Sequence, residues 1–230
     1  MATDTNAVPQ SEPELEALVR FAKRVSHDIN NFSTVVRTYS ELLRSDIAES
    51  DPMHADVVEI HRAADATVQY LQRVTQFSRA GNMRRLPTLV DDGIADAVAM
   101  LATELGDRAV NVTAGGGQIQ ADARWWRDVV IELLRNAHDA APAGSAIVIR
   151  SAVQNAVVTI DVEDEGAGIP ADLASTVTEP FVTSKKGIRG AGIGLAIVAA
   201  FVRTLGGSIH FDRIDGTTGA RTRVRLTLPA

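Results

Sequence analysis

The chain has 230 residues, of which 45% are hydrophobic and 23% charged, so it can bury a core and is not disordered by composition. A net charge of −6 disfavours binding to nucleic acid or to an anionic membrane surface. The absence of cysteine excludes disulfides and thiolate chemistry, and we expect a cytoplasmic location. No apolar stretch reaches the roughly 20 residues of a membrane-spanning helix, so we expect no membrane insertion.

The first 80 residues predict a disordered tail over 1–11 and a helical hairpin over 12–80. Ser11 and Glu14 form a capping-box pattern at the start of the first helix, and Asp51 and Pro52 predict the N-cap and first residue of the second. Apolar residues recur along the first helix at alternating steps of three and four, which is typical of a helical bundle. They are Leu15, Leu18, Ala22, Val25, Ile29, Phe32, Val36, Tyr39 and Leu43. Because one hairpin cannot bury this stripe, we expect a homodimer that forms a four-helix bundle.

His27 lies on the side of the first helix that is farthest from this apolar stripe. Asp28 is next to it, and Asn31 follows one turn later. A single exposed histidine is ordinarily a surface residue without a chemical role. Its interpretation therefore depends on the rest of the chain.

Residues 81–87 predict a linker, and residues 88–230 predict a second domain. Helical patterns cover about 91–104 and 123–140, and strand patterns cover 109–113, 147–153, 157–162, 207–212 and 222–228. Helices interspersed with a mostly antiparallel sheet predict an α+β two-layer sandwich with its helices on one face.

Three motifs in the second domain carry groups that could bind a nucleotide. Glu132 and Asn136 are oxygen donors on one face of the long helix and suit a hydrated Mg²⁺, although a solvated helix face would look the same. Asp164 ends a strand and is followed by a turn with glycines at 166 and 168. Cations then precede a glycine-containing helix start, which favours a polyphosphate; they are Lys185, Lys186 and Arg189. A dinucleotide fingerprint is excluded because Leu195 replaces its third glycine, and no P-loop string occurs.

In this order, the four motifs resemble a bacterial two-component sensor histidine kinase over about residues 12–230. The resemblance implies a dimerisation and histidine phosphotransfer hairpin followed by an ATP-binding catalytic domain of the GHKL type, which has the Bergerat fold. The segment from His27 to Asn31 is most similar to the nitrogen-regulator and cell-cycle hybrid kinase groups.

The resemblance also implies a role for each motif residue. His27 would accept the phosphoryl group, Asp28 would orient its ring, and Asn31 would orient water for dephosphorylation of the partner. ATP and Mg²⁺ would be the cofactors, with Asn136 as the metal ligand, Glu132 holding a metal-bound water, and Asp164 accepting from the adenine amino group. Further nucleotide contacts are implied for Gly166, Gly168, Thr183, Lys185, Lys186, Arg189, Gly190, Gly192, Gly194 and Leu195. The implied partner is the receiver domain of a response regulator.

Two positions depart from the family pattern. Phe32 stands where many relatives have proline, and Asp139 stands where many have a lysine near the phosphates. The sequence shows no sensory segment, which is compatible with a self-contained core, an excised fragment, or a kinase whose input comes from a separate sensor protein.

Two other functions fit the architecture less well. A non-catalytic histidine phosphotransfer adaptor would not use ATP, and the intact Asn136 and Asp164 motifs argue against it. An anti-sigma serine kinase has no use for an exposed histidine on a dimerisation hairpin.

Overall fold

The computed structural model describes residues 12–77, 84–183, 192–216 and 219–230. The chain divides into two compact units, residues 1–78 and residues 79–230. The elements, in chain order, are α1 Glu12–Asp46, α2 Pro52–Phe77, β1 Leu86–Leu89, α3 Val90–Leu105, β2 Val110–Thr113, β3 Gln118–Ala121, α4 Ala123–Ala140, β4 Ile147–Gln154, β5 Val157–Asp164, α5 Gly194–Thr204, β6 Ser208–Gly216 and β7 Gly219–Pro229. None of the described helices combines the length and the apolarity that crossing a bilayer requires.

The first unit is the predicted helical hairpin of α1 and α2. The turn between the helices ends at Asp51, whose Oδ1 accepts the Met53 N–H at 2.8 Å, and α2 then begins at Pro52. The Ser40 hydroxyl lies 3.0 Å from His61 Nδ1 near this turn, which holds the two helices together at the closed end. Ser11, where the capping box was predicted, lies outside the described residues.

Residues spaced by seven form the contact between the two helices. The buried positions are Ser26, Ser33 and Ser40 on α1, and Val57, Ala64 and Leu71 on α2. Five apolar residues of the predicted stripe on α1 are exposed, with Phe32 at 71% and Tyr39 at 65%; the others are Ile29, Val36 and Leu43. A single hairpin thus leaves this part of the stripe uncovered.

The second unit is built on a five-stranded sheet in the order β2-β4-β5-β7-β6. Only the β2–β4 pair is parallel among these neighbours, and the other three pairs are antiparallel. The predicted mixed, mostly antiparallel sheet is therefore confirmed. Alternate residues of β5 and β7, such as Ile160 and Leu226, are fully buried beneath the helices.

Helix α4 is central to the core of this unit. Its N-terminus is capped by Asp122, whose Oδ1 accepts from the N–H groups of Arg124 and Trp125. Trp126 is fully buried, stacks on Phe201 of α5 at 5.8 Å, and donates its indole N–H to Val90 O at 3.0 Å. These contacts fix α4 against α3 and α5.

The opposite face of the sheet is polar and charged. Arg225 on β7 donates to both carboxylate oxygens of Asp161 on β5 at 2.6 Å, and this hydrogen bond raises the pKa of Arg225. Arg150 on β4 pairs with Glu163 on β5 at 2.6 Å. The described helices of this unit therefore lie against one face of the sheet, as predicted.

Two short strands were not predicted from the sequence. β1 and β3 pair antiparallel, from Leu86 opposite Ala121 to Leu89 opposite Gln118. β1 begins within residues 81–87, which the sequence pattern assigned to a linker. Each strand has four residues, too few for a clear alternation of apolar and polar side chains.

Candidate functional site

The Glu132 and Asn136 side chains of α4 lie together against the start of α5. A Cβ placed on Gly194 would lie 2.7 Å from Glu132 Oε2 and 3.4 Å from Asn136 Nδ2. The two predicted polar residues and the last glycine of the predicted glycine motif therefore meet in space. Gly194 has no room for a side chain unless Glu132 moves.

Gly192, the preceding glycine of the same motif, contacts the loop that contains Phe181. Gly192 has φ +66°, which favours glycine, and its carbonyl accepts the Phe181 N–H at 2.8 Å. A Cβ at Gly192 would lie 2.5 Å from the Phe181 carbonyl carbon. Phe181 itself has φ +69° and is 66% exposed. The glycine motif and the segment around Phe181 thus form one joined border of the site.

The predicted turn after β5 is present and is closed by its own aspartate. Asp164 is buried, and its Oδ1 accepts the Gly166 N–H at 2.7 Å. Gly166 also packs against the end of α4, since a Cβ there would lie 2.8 Å from Ala140 O. Gly168 follows with φ +85°.

Thr222 belongs to this cluster although the sequence motifs did not indicate it. It is buried, lies opposite Asp164 in the β5–β7 register, and donates its hydroxyl to Gly166 O at 3.3 Å. No local pattern marks Thr222, because its position depends on the pairing of two strands 58 residues apart. A polar residue within an otherwise apolar inward-facing set was the only available signal.

Both clusters contact one face of α4, because Glu132, Asn136 and Ala140 are spaced by four residues. The eight steps along the helix from Glu132 to Ala140 correspond to about 12 Å along its axis. The site in the second unit is therefore an elongated strip, with Gly194 near one end and the Asp164 turn at the other.

Asn136 carries a buried polar atom that protein groups do not satisfy. Its Nδ2 has no hydrogen-bond partner among the described residues. The nitrogen and oxygen of an amide exchange places by a 180° rotation, so the same position can present Oδ1, a hard donor suited to Mg²⁺. Over the ranges that the structure describes, no group of three or more His, Asp or Glu side chains forms a metal site. An ion here would rely on Asn136, waters and bound phosphates.

His27 stands in the first unit on the exposed face of α1, with its side chain 73% exposed. Its Nδ1 lies 3.2 Å from Asp28 Oδ1 and 3.4 Å from Asn31 Nδ2. The contact with Asp28 favours a hydrogen on Nδ1, which leaves the lone pair of Nε2 available. The three residues predicted to act together are therefore adjacent in space.

For the remaining predicted site residues, the structure gives at most a position or an exposure. Leu195 lies in the first turn of α5, and Thr183 is exposed. Four of the predicted contacts lie outside the described residues: Lys185, Lys186, Arg189 and Gly190.

Comparison with known proteins identifies the family. Residues 121–230 match the family described as histidine kinase-, DNA gyrase B-, and HSP90-like ATPase. Over 97% of its length the chain is 30% identical to the sensor kinase CckA of Brucella abortus, and over 92% it is 27% identical to the sensory histidine kinase/phosphatase NtrB of Rhodobacter capsulatus. Residues 121–230 are therefore a domain of this ATPase family, and the chain as a whole is similar to sensor histidine kinases. The chain spans 25% of the length of the first relative and 62% of the second.

A solved structure has a similar fold. The crystal structure of full-length ShkA in complex with AMPPNP covers 91% of this chain, with a TM-score of 0.70 and 20% identity, and this chain covers 45% of that chain. At this identity the likeness establishes the fold alone. The match extends over most of the chain and therefore includes residues of both units.

Proposed function

We propose that this chain transfers the γ-phosphoryl group of Mg-ATP to His27 and then to an aspartate in the receiver domain of a response regulator. The observation that carries the proposal is the strip along α4. Asn136 and Glu132 meet Gly194 at one end, and at the other end Gly166, whose N–H donates to Asp164, packs against Ala140. We assign phosphotransfer to residues 12–80 and ATP binding to residues 88–230.

The strip suits a nucleoside triphosphate in one orientation. A buried carboxylate at Asp164 can accept from the adenine amino group, and Gly166 and Gly168 allow the turn beside that carboxylate to form. The N-terminus of α5, which has no side-chain cap, offers backbone N–H groups to the phosphates at the other end. The distance of about 12 Å along α4 fits an extended nucleotide between these groups.

Asn136 would hold Mg²⁺ beside the phosphates, and its unsatisfied buried amide supports this assignment. When bound, the ion neutralises charge on the phosphates during transfer. Glu132 would orient a water of the ion, because its buried carboxylate lies beside the same glycine. Cations of the glycine-rich loop, Lys185, Lys186 and Arg189, would complete charge neutralisation.

His27 would act as the nucleophile through Nε2. Asp28 holds the Nδ1 hydrogen, so the Nε2 lone pair attacks phosphorus and the bond to the ADP oxygen breaks. The positive charge that develops on the ring is stabilised by the same carboxylate. Asn31, one turn away, would orient the water for a phosphatase reaction on the regulator.

The assembly is part of the proposal. The exposed apolar stripe around Phe32 and Tyr39 supports a homodimer in which two hairpins form a four-helix bundle. Input would come from a sensor region or from a separate sensor protein. We place the reaction in the cytoplasm, where ATP is available.

Incubation with γ-labelled ATP and Mg²⁺ tests the function directly. We expect wild-type protein to acquire acid-labile, alkali-stable phosphate, and His27→Gln to acquire none. His54→Gln, on α2, is the matched control and should be labelled like wild type. Absence of label on folded wild-type protein would contradict the proposal, and phosphate donation from a phosphorylated receiver domain would then test the adaptor function.

A further inference from the structure

Arg135 connects α3 to the Glu132 carboxylate. Its Nε and Nη2 donate to both oxygens of Glu104 on α3, at 3.0 to 3.2 Å. Its Nη1 lies 3.7 Å from Glu132 Oε1, one turn earlier on α4. The guanidinium is therefore shared between an exposed carboxylate that anchors it and a buried carboxylate of the site.

The nearby guanidinium of Arg135 stabilises the buried carboxylate of Glu132. The Glu132 side chain is only 4% exposed, and a carboxylate removed from water is costly unless a positive charge or hydrogen-bond donors compensate it. The guanidinium is held in place by its hydrogen bonds to Glu104, and from that fixed position its charge attracts the Glu132 carboxylate across 3.7 Å.

The two oxygens of Glu132 face different groups. Oε1 faces Arg135, whereas Oε2 lies 2.7 Å from the position of a Cβ on Gly194. A glutamate side chain has three rotatable bonds and would ordinarily move away from such a contact at low cost. A contact on Oε1 restricts that movement and keeps Oε2 at the start of α5.

We propose that Arg135, anchored by Glu104, is a positioning residue that holds Glu132 with Oε2 directed toward Gly194. It acts on the phosphoryl-transfer site only through Glu132. Its consequence for catalysis rests on the proposed function, but its effect on the position of Glu132 does not.

A double-mutant cycle on thermal stability, built on Gly194→Ala, tests whether Glu132 is held near Gly194. It needs no bound ligand. If Arg135 holds Glu132 in place, the new methyl group meets a fixed oxygen, and we expect Tm to fall by roughly 3 to 6 °C. In an Arg135→Gln background Glu132 can move, so Gly194→Ala should lower Tm by less than half as much. Tryptophan emission reports the unfolding of this unit, because both tryptophans of the chain, Trp125 and Trp126, lie in α4.

Arg127→Gln provides the matched control. Arg127 is on the same helix, has a similar exposure and pairs with Asp128 at 2.8 Å. We expect the full effect of Gly194→Ala in this background. Equal effects of Gly194→Ala in the wild-type, Arg127→Gln and Arg135→Gln backgrounds would overturn the proposal.

Labelling of His27 tests the catalytic consequence. We expect Arg135→Gln to lower the rate constant roughly 10- to 100-fold while KM for ATP changes less than twofold. In a Glu132→Gln background the same change should have no further effect, and Arg135→Lys should restore only part of the rate because it keeps the charge but not the planar fork. A further loss in the double variant would overturn the route through Glu132.

The two measurements separate the proposals. If wild type is labelled but the effects of Gly194→Ala and Arg135→Gln on Tm are additive, the role of Arg135 is refuted and the kinase function stands. If wild type is not labelled but the two effects are not additive, the kinase function is refuted, and Arg135 still positions Glu132.

Discussion

The proposed orienting group of His27 is the carboxylate of the next residue, Asp28, whose Oδ1 lies 3.2 Å from His27 Nδ1. Both side chains are largely exposed, at 73% for His27 and 58% for Asp28. Water therefore screens the charge of Asp28, and its main contribution is to direct the hydrogen to Nδ1.

We expect Asp28→Asn to slow the labelling of His27 roughly 100-fold, because an asparagine amide can also donate to Nδ1 and so no longer keeps the hydrogen on that nitrogen. Tm should stay the same, since the contact is on the surface. The measurement is the initial rate of labelling with γ-labelled ATP. An unchanged rate would show that Asp28 does not act on the ring.

We expect Asn136 to contribute to nucleotide binding rather than to the stability of α4. Its buried Nδ2 is not satisfied by the described residues. We expect Asn136→Ala to abolish Mg-ATP-dependent labelling, while the free energy of unfolding in urea changes by less than about 1 kcal/mol. Asn111→Ala, on the exposed face of β2, should keep full labelling. Retained labelling in Asn136→Ala would rule out the metal assignment.

At the scale of elements, α4 carries the core of its unit and most of the site. One face holds Glu132 and Asn136, and buried residues such as Trp126 and Leu134 fill the other faces. The strip along α4 therefore depends on the correct start and packing of a single helix.

The N-cap of α4 makes this dependence measurable. Asp122 accepts from two backbone N–H groups, and Asp122→Ala should cost about 1 kcal/mol and lower Tm by roughly 2 to 4 °C. Asp107→Ala, in the exposed turn after α3, is the control and should change Tm little. Equal Tm values for the two variants would mean that the cap does not stabilise α4.

At the scale of the whole molecule, the described part of the hairpin exposes several large apolar side chains of α1, among them Phe32, Tyr39 and Leu43. Small serines fill the contact between α1 and α2, so the large apolar residues of α1 remain for another surface. A second copy of the same hairpin offers a matching stripe.

We expect wild-type protein to have twice the 24.5 kDa mass of one chain in analytical ultracentrifugation. The double variant Phe32→Glu and Tyr39→Glu should sediment as a monomer, because charges would be buried in the bundle. Thr38→Glu adds a charge on another face of α1 and should remain dimeric. A monomeric wild type would contradict the homodimer.

Local sequence patterns determined the helices and the motif residues. The observed α4 has both predicted ends, at 123 and 140, and α2 begins at the predicted Pro52. Caps and helical periodicity depend on residues within a few positions of each other, so they can be predicted without the fold. The three motifs of the second domain could be recognised from the sequence because each consists of residues that are close together in the chain.

Only the tertiary structure decided which of these residues meet. The contact of Gly194 with Glu132, the place of Thr222 opposite Asp164, and the link from Glu104 through Arg135 all join residues far apart in the chain. The short β1–β3 pair is likewise a long-range pairing with little local signal. Strand register and helix packing are set by how the whole core is filled, and a local pattern carries no information about its distant partner.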